Sequence, residues 1–329
     1  MIPGPKNLRL AGLAGLLLAF LPGLALAQAA PAAGPDAANA ADAADAPNTA
    51  NTPDTAYRQE VEAWRQDREK GLKQEDGWFS LVGLFWLKEG ENRFGSDLGN
   101  TVILPEGKAP AEAGTLVRKG GAVQIRVKPG VGITHQGQPV EVLDLLADTS
   151  GQATVLELGT LSFHVIQRGD RVGVRVKDSK SPALAAFHGL DNYPVQPAWK
   201  VEARFEPYTP AKTVPIPNVL GQVDDSPSPG AVVFDRGGKT HRLDALEGSP
   251  DGGLFLIFAD ATNGKETYGA GRFLVTDPPK DGKVVVDFNK AYNPPCAYSA
   301  YATCPLPPQQ NRLALRVEAG EKKYGEGHP

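Results

Sequence analysis

The sequence of 329 residues contains 37 glycines and 29 prolines, a density that argues against a helical bundle and favours short strands joined by turns. With 34 Lys and Arg against 38 Asp and Glu, the net charge of −4 gives no electrostatic basis for binding nucleic acid or an anionic membrane. Two cysteines are too few for a disulfide-dense miniprotein or for a zinc site with four thiolates.

Residues 1–27 have the pattern of a signal peptide. Lys6 and Arg9 precede an apolar run over 10–21, and small residues form a cleavage pattern that ends at Ala27. The run is shorter than the ~20 residues that span a bilayer, and a Pro-Gly pair follows it, which favours cleavage over a retained anchor. We therefore expect a periplasmic or secreted protein that starts at Gln28, with no stable membrane insertion after cleavage.

Residues 28–56 have the composition of a disordered linker. The segment contains 13 alanines in 29 residues and no aromatic, Leu, Ile, Val or basic residue. Such a segment buries too little apolar surface to offset the entropy lost on ordering. The folded part is therefore expected to begin near residue 57.

One amphipathic helix is predicted at the start of the folded part. Tyr57, Val61 and Trp64 recur at the helical spacing i, i+4 and i+7, and charged residues occupy the other faces. Start signals lie at Pro53 and the residues after it, and Gly71 supplies a stop signal.

Apolar and polar residues alternate after Gly77, which is typical of half-buried strands. The clearest examples in the first half are Val123–Val127, Leu161–Val165 and Val172–Val176. We predict that residues 57–190 form one unit, in which the helix accompanies a β-sandwich.

The second half repeats the strand signal. Gly237 and Gly238 predict a hairpin turn, because glycine adopts positive φ at low cost. The predicted strands are Val201–Phe205, Val232–Phe234, His241–Leu243, Leu254–Ala259, Phe273–Val275, Val284–Phe288 and Leu313–Val317. The whole chain is thus predicted to be all-β, and residues 191–325 are predicted to form a β-barrel or a strongly curved antiparallel sheet.

Two stretches carry a resemblance to a known family. The first covers residues 76–96 and begins DGWFSLVGLFWL, and the second covers residues 287–308 and contains DFNKAYNPPC and TCPLPP. Both are similar to the bacterial and archaeal family called domain of unknown function 1684. The resemblance extends over about residues 57–325 and implies no particular activity.

A further resemblance lies in residues 90–105. Phe94-Gly95-Ser96 and the run over 102–105 are similar to the opening strands of a forkhead-associated (FHA) β-sandwich. That family binds phosphothreonine through an Arg after the first Gly and a Ser-x-x-His turn. Here Ser96 stands at the Arg position and residues 113–115 lack the His, so the resemblance implies the sandwich without the phosphate-binding groups.

Cys296 and Cys304 lie in one short loop bounded by prolines. In an oxidising compartment, the simplest interpretation is a structural disulfide bond between them. A metal site would need ligands from elsewhere in the chain, and a redox-active pair lacks the usual Cys-x-x-Cys spacing.

The richest polar stretches of the sequence follow the strand at 254–259 and surround the two cysteines. Asn263-Gly264 marks a tight turn in the first stretch. We predict that the stretches converge around a pocket for a polar or anionic small ligand. The candidate ligand-binding residues are Asp260, Asn263, Lys265, Thr267, Tyr268, Arg272, Asp287, Asn289, Tyr292, Asn293, Tyr298 and Arg312. The alternative is that these side chains satisfy the backbone of a long coil.

The function predicted from the sequence is an exported binding module for a polar or anionic small molecule or an envelope component. The alternatives are a hydrolase that uses Asp260 or Asp287 near Tyr268, and a protein-interaction scaffold. Among the five histidines, His188 is the best candidate for a general base because it lies in a loop. No cofactor, metal site or nucleic-acid partner is predicted, and the sequence identifies no protein partner.

Overall fold

A computed structural model describes residues 53–248 and 250–325. The predicted signal peptide and most of the predicted linker lie outside these residues. None of the helices in the described part is long and apolar enough to cross a membrane.

The first element is the helix α1 (Pro53–Leu72), which confirms the helix predicted for this segment. Asp54 in its first turn and Lys70 in its last turn complement the helix dipole. Its buried side chains include Val61 and Arg65. Because Arg65 donates a hydrogen bond of 3.0 Å to the carbonyl oxygen of Tyr193, α1 lies against the C-terminal half of the molecule.

Eleven strands follow and form a sandwich of two sheets around one apolar core. The first sheet has the order β3-β2-β4-β5-β8 and the second has the order β1-β11-β10-β9-β6-β7. Phe94, Leu116 and Ile125 from the first sheet pack with Phe163 and Val174 from the second. The strands are β1 (Leu81–Trp86), β2 (Gly90–Gly95), β3 (Val102–Ile103), β4 (Gly114–Lys119), β5 (Ala122–Val127), β6 (Thr134–His135), β7 (Gln138–Pro139), β8 (Val142–Leu145), β9 (Leu156–Leu158), β10 (Leu161–Arg168) and β11 (Arg171–Asp178).

The short helix α2 (Pro182–Ala185) leads to a six-stranded antiparallel sheet that curls into a half-barrel. Its order is β16-β15-β14-β13-β12-β17, and β15 is buried at every position. Val232, Leu243, Leu256 and Phe288 belong to its core. The strands are β12 (Lys200–Pro217), β13 (Val223–Arg236), β14 (Lys239–Glu247), β15 (Leu254–Phe258), β16 (Arg272–Val275) and β17 (Lys283–Asp287). The predicted all-β class, with a sandwich followed by a strongly curved sheet, is confirmed.

The strand predicted at Leu313–Val317 is wrong. Leu313 and Val317 are buried, which produces the alternating pattern, but the segment forms no ladder. Only single bonds tie it to the sheet, such as the 2.8 Å bond from the Leu313 amide to the Ala259 carbonyl oxygen. The alternating apolar pattern in the sequence therefore reflects the packing of an irregular segment and not a strand.

The distal parts of β12 and β13 form a long hairpin, the arm (residues 212–228). Val214 and Ile216 of the arm pack with the two cysteines. At its tip, the amide of Val219 donates a hydrogen bond of 3.1 Å to the carbonyl oxygen of Cys304. Because prolines are frequent in this segment, its sequence does not resemble a strand.

Candidate functional site

The centre of the predicted pocket is a buried ion pair. Arg272 is fully buried and donates a hydrogen bond of 2.8 Å to the carboxylate of Asp260. The same guanidinium donates to the carbonyl oxygens of Val317, at 2.9 Å, and Ala319. This predicted ligand-binding cation is therefore occupied by internal partners.

The Asp260 carboxylate also organises the loop that follows it. It accepts hydrogen bonds from the amide of Thr262 at 2.8 Å and from the Thr262 hydroxyl at 2.6 Å. The Thr262 and Thr267 hydroxyls are 2.8 Å apart, and Asn263 donates to Thr267 at 3.0 Å. Gly264, at φ +80°, confirms the predicted turn. These candidate residues support the loop itself.

A second buried group centres on Glu321, which is 1% exposed and which the sequence analysis missed. Its carboxylate accepts hydrogen bonds of 2.8 Å from the Asn293 amide and from the Tyr298 hydroxyl. Arg68 of α1 forms an ion pair with the same carboxylate. Burial, reinforced by the Glu321 charge, raises the pKa of Tyr298 well above its usual value.

A third group ties α1 to the end of β17. The Tyr57 hydroxyl donates a hydrogen bond of 2.7 Å to Asp287. Burial and this carboxylate raise the pKa of Tyr57. Asn289 is fully buried and exchanges hydrogen bonds of 2.9 Å with both backbone groups of Gln196. Asp287 and Asn289 thus also have internal partners.

The remaining candidates divide into packed rings and exposed cations. The Arg68 guanidinium lies 4.4 Å from the centre of the Tyr292 ring, and burial raises the pKa of Tyr292 to about 12. Tyr268 packs against the buried cysteines, and burial raises its pKa to about 12. Lys265 and Arg312 are exposed.

The two predicted stretches do converge, but the C-terminal segment 317–322 occupies the space between them. Gly320 lies at φ +76°, and a Cβ there would lie 2.4 Å from the carbonyl oxygen of Ala291. Only glycine permits such an approach of two backbones. Gly320, the glycine before Glu321, was therefore the sequence signal that segment 317–322 packs closely between the two polar stretches.

The two cysteines are buried free thiols in the cysteine loop (residues 294–308). The amide of Cys296 donates to the Cys304 sulfur at 3.1 Å, and the amide of Cys304 donates to the Cys296 sulfur at 3.3 Å. These reciprocal bonds close the loop without a covalent bond. The disulfide bond between them stays a prediction.

A polar cleft of about 390 Å³ lies elsewhere, at the end of α1, and we name it the His188 cleft. None of the candidate ligand-binding residues lines it. Its lining residues are Glu69, His188, Gly189, Leu190, Asp191, Lys323, Tyr324 and Gly325. His188, Asp191 and Lys323 are exposed. Three distant segments of the chain therefore supply an imidazole, carboxylates and an ammonium group to one concave surface.

Internal contacts fix the walls of the His188 cleft. Glu69 accepts a hydrogen bond of 2.9 Å from the amide of Leu190. Gly189 lies at φ +123°, and a Cβ there would lie 3.4 Å from the Glu69 carboxylate. The Tyr324 ring packs edge-on against Phe79 at 5.2 Å. The cleft is thus held in shape by the protein itself.

A second cleft, of about 610 Å³, has a different character. Phe205, Leu254 and several prolines line it, and its one charged lining residue is Glu247. With so few polar groups, this cleft fits the predicted polar ligand poorly.

Comparison with known proteins supplies a family. The model of the DUF1684 family, described as a protein of unknown function, matches residues 185–322. The solution NMR structure of an uncharacterized protein from Haloarcula marismortui is 31% identical over 42% of this chain and 78% of that chain, with a TM-score of 0.36. An FHA domain structure, described for phosphothreonine-dependent interactions, is 17% identical over 29% of this chain and 92% of that chain, with a TM-score of 0.21.

No curated protein matches the chain. With the match to the family model and a relative that is 31% identical over 78% of its length, the chain belongs to the DUF1684 family.

Proposed function

We propose that this protein is a binding module for a polar small molecule and that the His188 cleft is its binding site. One observation carries the proposal. The side chains of His188, Asp191 and Lys323 share this cleft, and none of them makes a side-chain hydrogen bond within residues 53–248 and 250–325. Polar groups that converge on a concave surface without internal partners are available to a ligand.

The chemistry of the lining suggests which polar molecules fit. Lys323 and His188 offer donors to a carboxylate or phosphate group, and Asp191 offers acceptors to an amine or hydroxyl. The Tyr324 ring adds a flat apolar wall. A zwitterion or a hydroxylated acid matches this set better than a purely anionic compound.

The alternatives have less support. A hydrolase built on Asp260 or Asp287 would need a carboxylate open to substrate, whereas Asp260 is bound to Arg272 and Asp287 to Tyr57. The scaffold hypothesis would rest on exposed apolar side chains of the sandwich, such as Leu98, Val142 and Leu146, which indicate no particular partner. A periplasmic or secreted location remains part of the proposal, and it would make an envelope component or a nutrient a reasonable ligand.

Purified protein screened by thermal shift tests the proposal directly. The probes are amino acids, dipeptides, sugar acids and sugar phosphates. A probe at 100 times its Kd stabilises the folded state by ~2.7 kcal/mol, which raises Tm measurably. We expect such a shift for at least one class, and we expect Asp191→Asn and Lys323→Ala to abolish it.

Lys265→Ala is the matched control, because Lys265 is an exposed lysine outside the cleft. It should leave the shift unchanged. If no probe raises Tm, or if both cleft variants keep the wild-type shift, the His188 cleft is not the binding site.

A further inference from the structure

The cysteine loop sits at the junction between the sandwich and the C-terminal half. Thr303 accepts hydrogen bonds from Arg168 at 3.0 Å and from Arg175 at 3.3 Å, and both arginines belong to the second sheet of the sandwich. On the other side, the amide of Leu306 donates a bond of 2.7 Å to the arm at Pro217. The loop that carries the two sulfur atoms thus contacts both the sandwich and the arm.

Arg175 brings a poorly compensated positive charge to this junction. Its side chain is buried, and its Nε has no hydrogen-bond partner in the described part of the chain. The nearby carboxylate of Asp148 is engaged by Arg168 at 2.8 Å. Burial, followed by the charge of Arg168, lowers the pKa of Arg175 to about 10. A negative charge near this guanidinium would therefore be stabilised.

The cysteine thiols are the groups able to supply that negative charge. Hydrogen bonds from the thiol and the amide of Cys304, with a smaller effect of the Arg175 charge, lower the pKa of Cys296 against the opposing effect of burial, while burial raises the pKa of Cys304. Cys296 is also the more accessible of the two, at 9% exposed against 4%. Tyr268 is a titratable group that packs against the cysteines, and it stays neutral because burial raises its pKa to about 12.

From this geometry we infer that Cys296 and Cys304 form a reversible thiol–disulfide site that reacts with disulfide compounds, with Cys296 as the attacking residue. The Cys296 thiolate attacks one sulfur of a disulfide RSSR, forms a mixed disulfide and releases RS⁻. Cys304 then loses its proton to solvent and attacks the Cys296 sulfur, which releases a second RS⁻. The two protein thiols are oxidised by two electrons, and RSSR becomes two RSH after proton uptake.

A reversible site differs from a structural disulfide bond, because the reduced cysteine pair is also a stable form and thiol–disulfide exchange is fast. It is also independent of the His188 cleft. Arg175 acts here as a positioning residue, since its charge favours the Cys296 thiolate without contacting the incoming disulfide.

The test uses the folded protein in glutathione buffers of graded oxidised-to-reduced ratio, with acid quenching, alkylation and intact-mass measurement. We expect one reversible transition between two free thiols and none, without unfolding by circular dichroism. Thiols that react with oxidised glutathione only after denaturation would overturn the inference. A disulfide that no glutathione ratio reduces in the folded protein would also overturn it.

Arg175→Gln tests the role of the charge. It should slow the reaction with oxidised glutathione at pH 7 by roughly threefold for each unit by which the Cys296 pKa rises, since the thiolate fraction falls faster than its nucleophilicity grows. Arg171→Gln is the control, because Arg171 lies on the same strand but its guanidinium stacks 4.1 Å from the Trp86 ring. Equal rates in both variants and the wild type would contradict the assignment to Arg175.

A measurement on the wild type keeps the inference testable if Arg175→Gln does not fold. The rate of iodoacetamide alkylation of Cys296 against pH should show an inflection below about 8.5, the usual thiol value. His164, across from Arg175 on the neighbouring strand, adds no cation there, because burial and Arg175 lower its pKa to about 4. An inflection at or above the usual value would refute the inference.

Discussion

The Asp260 group (Asp260, Thr262, Asn263, Thr267 and Arg272) and the His188 cleft contain similar side chains, but the first buries them and the second leaves them accessible. In the Asp260 group, a carboxylate and a guanidinium are both fully removed from water and bonded to each other. In the His188 cleft, the carboxylate of Asp191 and the ammonium of Lys323 face solvent. The comparison teaches that a cluster of polar residues in a sequence indicates function only when the fold leaves those residues accessible.

The physical basis of the difference is desolvation. A buried charge loses its hydration and must recover most of that free energy from partners inside the protein. Arg272 meets this demand with one carboxylate and several carbonyl oxygens. An exposed charge has no such need and remains free to exchange water for a ligand.

Removing one partner of the buried ion pair should have the largest effect. Asp260→Asn leaves the Arg272 guanidinium buried without a counter-charge, and we expect the free energy of unfolding to fall by about 3–5 kcal/mol. Urea denaturation followed by tryptophan fluorescence measures this loss. Asp191→Asn is the control, and it should change the value by no more than about 0.5 kcal/mol.

A double variant isolates the interaction between Asp260 and Arg272 from their contacts with other residues. If Asp260→Leu and Arg272→Met are combined, neither charge remains buried, and the loss should be smaller than the sum of the two single losses. Simple additivity in this cycle would mean that the two side chains do not stabilise each other.

Glu321→Gln should have the next largest effect. The amide cannot replace the charge that Arg68 faces, and its NH₂ group would oppose a donor from Asn293 or Tyr298. We expect a loss of about 2–3 kcal/mol in urea denaturation, which is typical of a broken buried bond to a charged group. Glu318→Gln, a half-exposed neighbour paired with Arg316, should stay within about 0.5 kcal/mol of the wild type.

Local features of the fold could be predicted from the sequence. The alternation at 123–127 and 161–165 predicted β5 and β10, and Gly237-Gly238 predicted the β13–β14 turn, because each signal depends on neighbouring residues. The arm was missed because its prolines resemble a loop, and its packing on the cysteine loop supplies the missing stability.

The candidate site could be predicted only in part, for a related reason. The sequence showed that Asp260 and Arg272 lie at the two ends of the loop between β15 and β16, and the structure joins them in an ion pair. It could not reveal that residues 317–322 fill the space beside them, because that contact joins segments about 50 residues apart and has no local pattern. Lys323 joins His188 in the cleft through tertiary structure alone.

His164 extends the comparison to a half-buried group that titrates. Burial and Arg175 lower its pKa to about 4, so the folded state holds it neutral while the unfolded state binds a proton below about pH 6.5. The contribution of neutral His164 to the free energy of unfolding is therefore present above pH 6.5 and is lost as the pH falls toward 4. Between pH 7 and pH 5 we expect the wild type to lose about 1–2 kcal/mol more stability than His164→Gln.

Parallel urea titrations of both proteins at several pH values measure this difference. Asp148, whose pKa is lowered by Arg168 against the opposing effect of burial, also changes the pH dependence, but it does so equally in both proteins. Identical pH profiles would show that His164 is protonated as readily in the folded protein as in the unfolded chain.

The smallest effect on stability is expected in the His188 cleft, and it is the most informative one for function. His188 and Lys323 make no side-chain hydrogen bond within the described residues, so His188→Ala and Lys323→Ala should each change the free energy of unfolding by less than about 0.5 kcal/mol. Urea denaturation measures both. A loss above 1 kcal/mol would mean that these side chains support the fold as Asp260 does. Near-neutral stability together with a lost ligand shift would establish that the cleft residues are kept for binding, because the fold gains almost nothing from them.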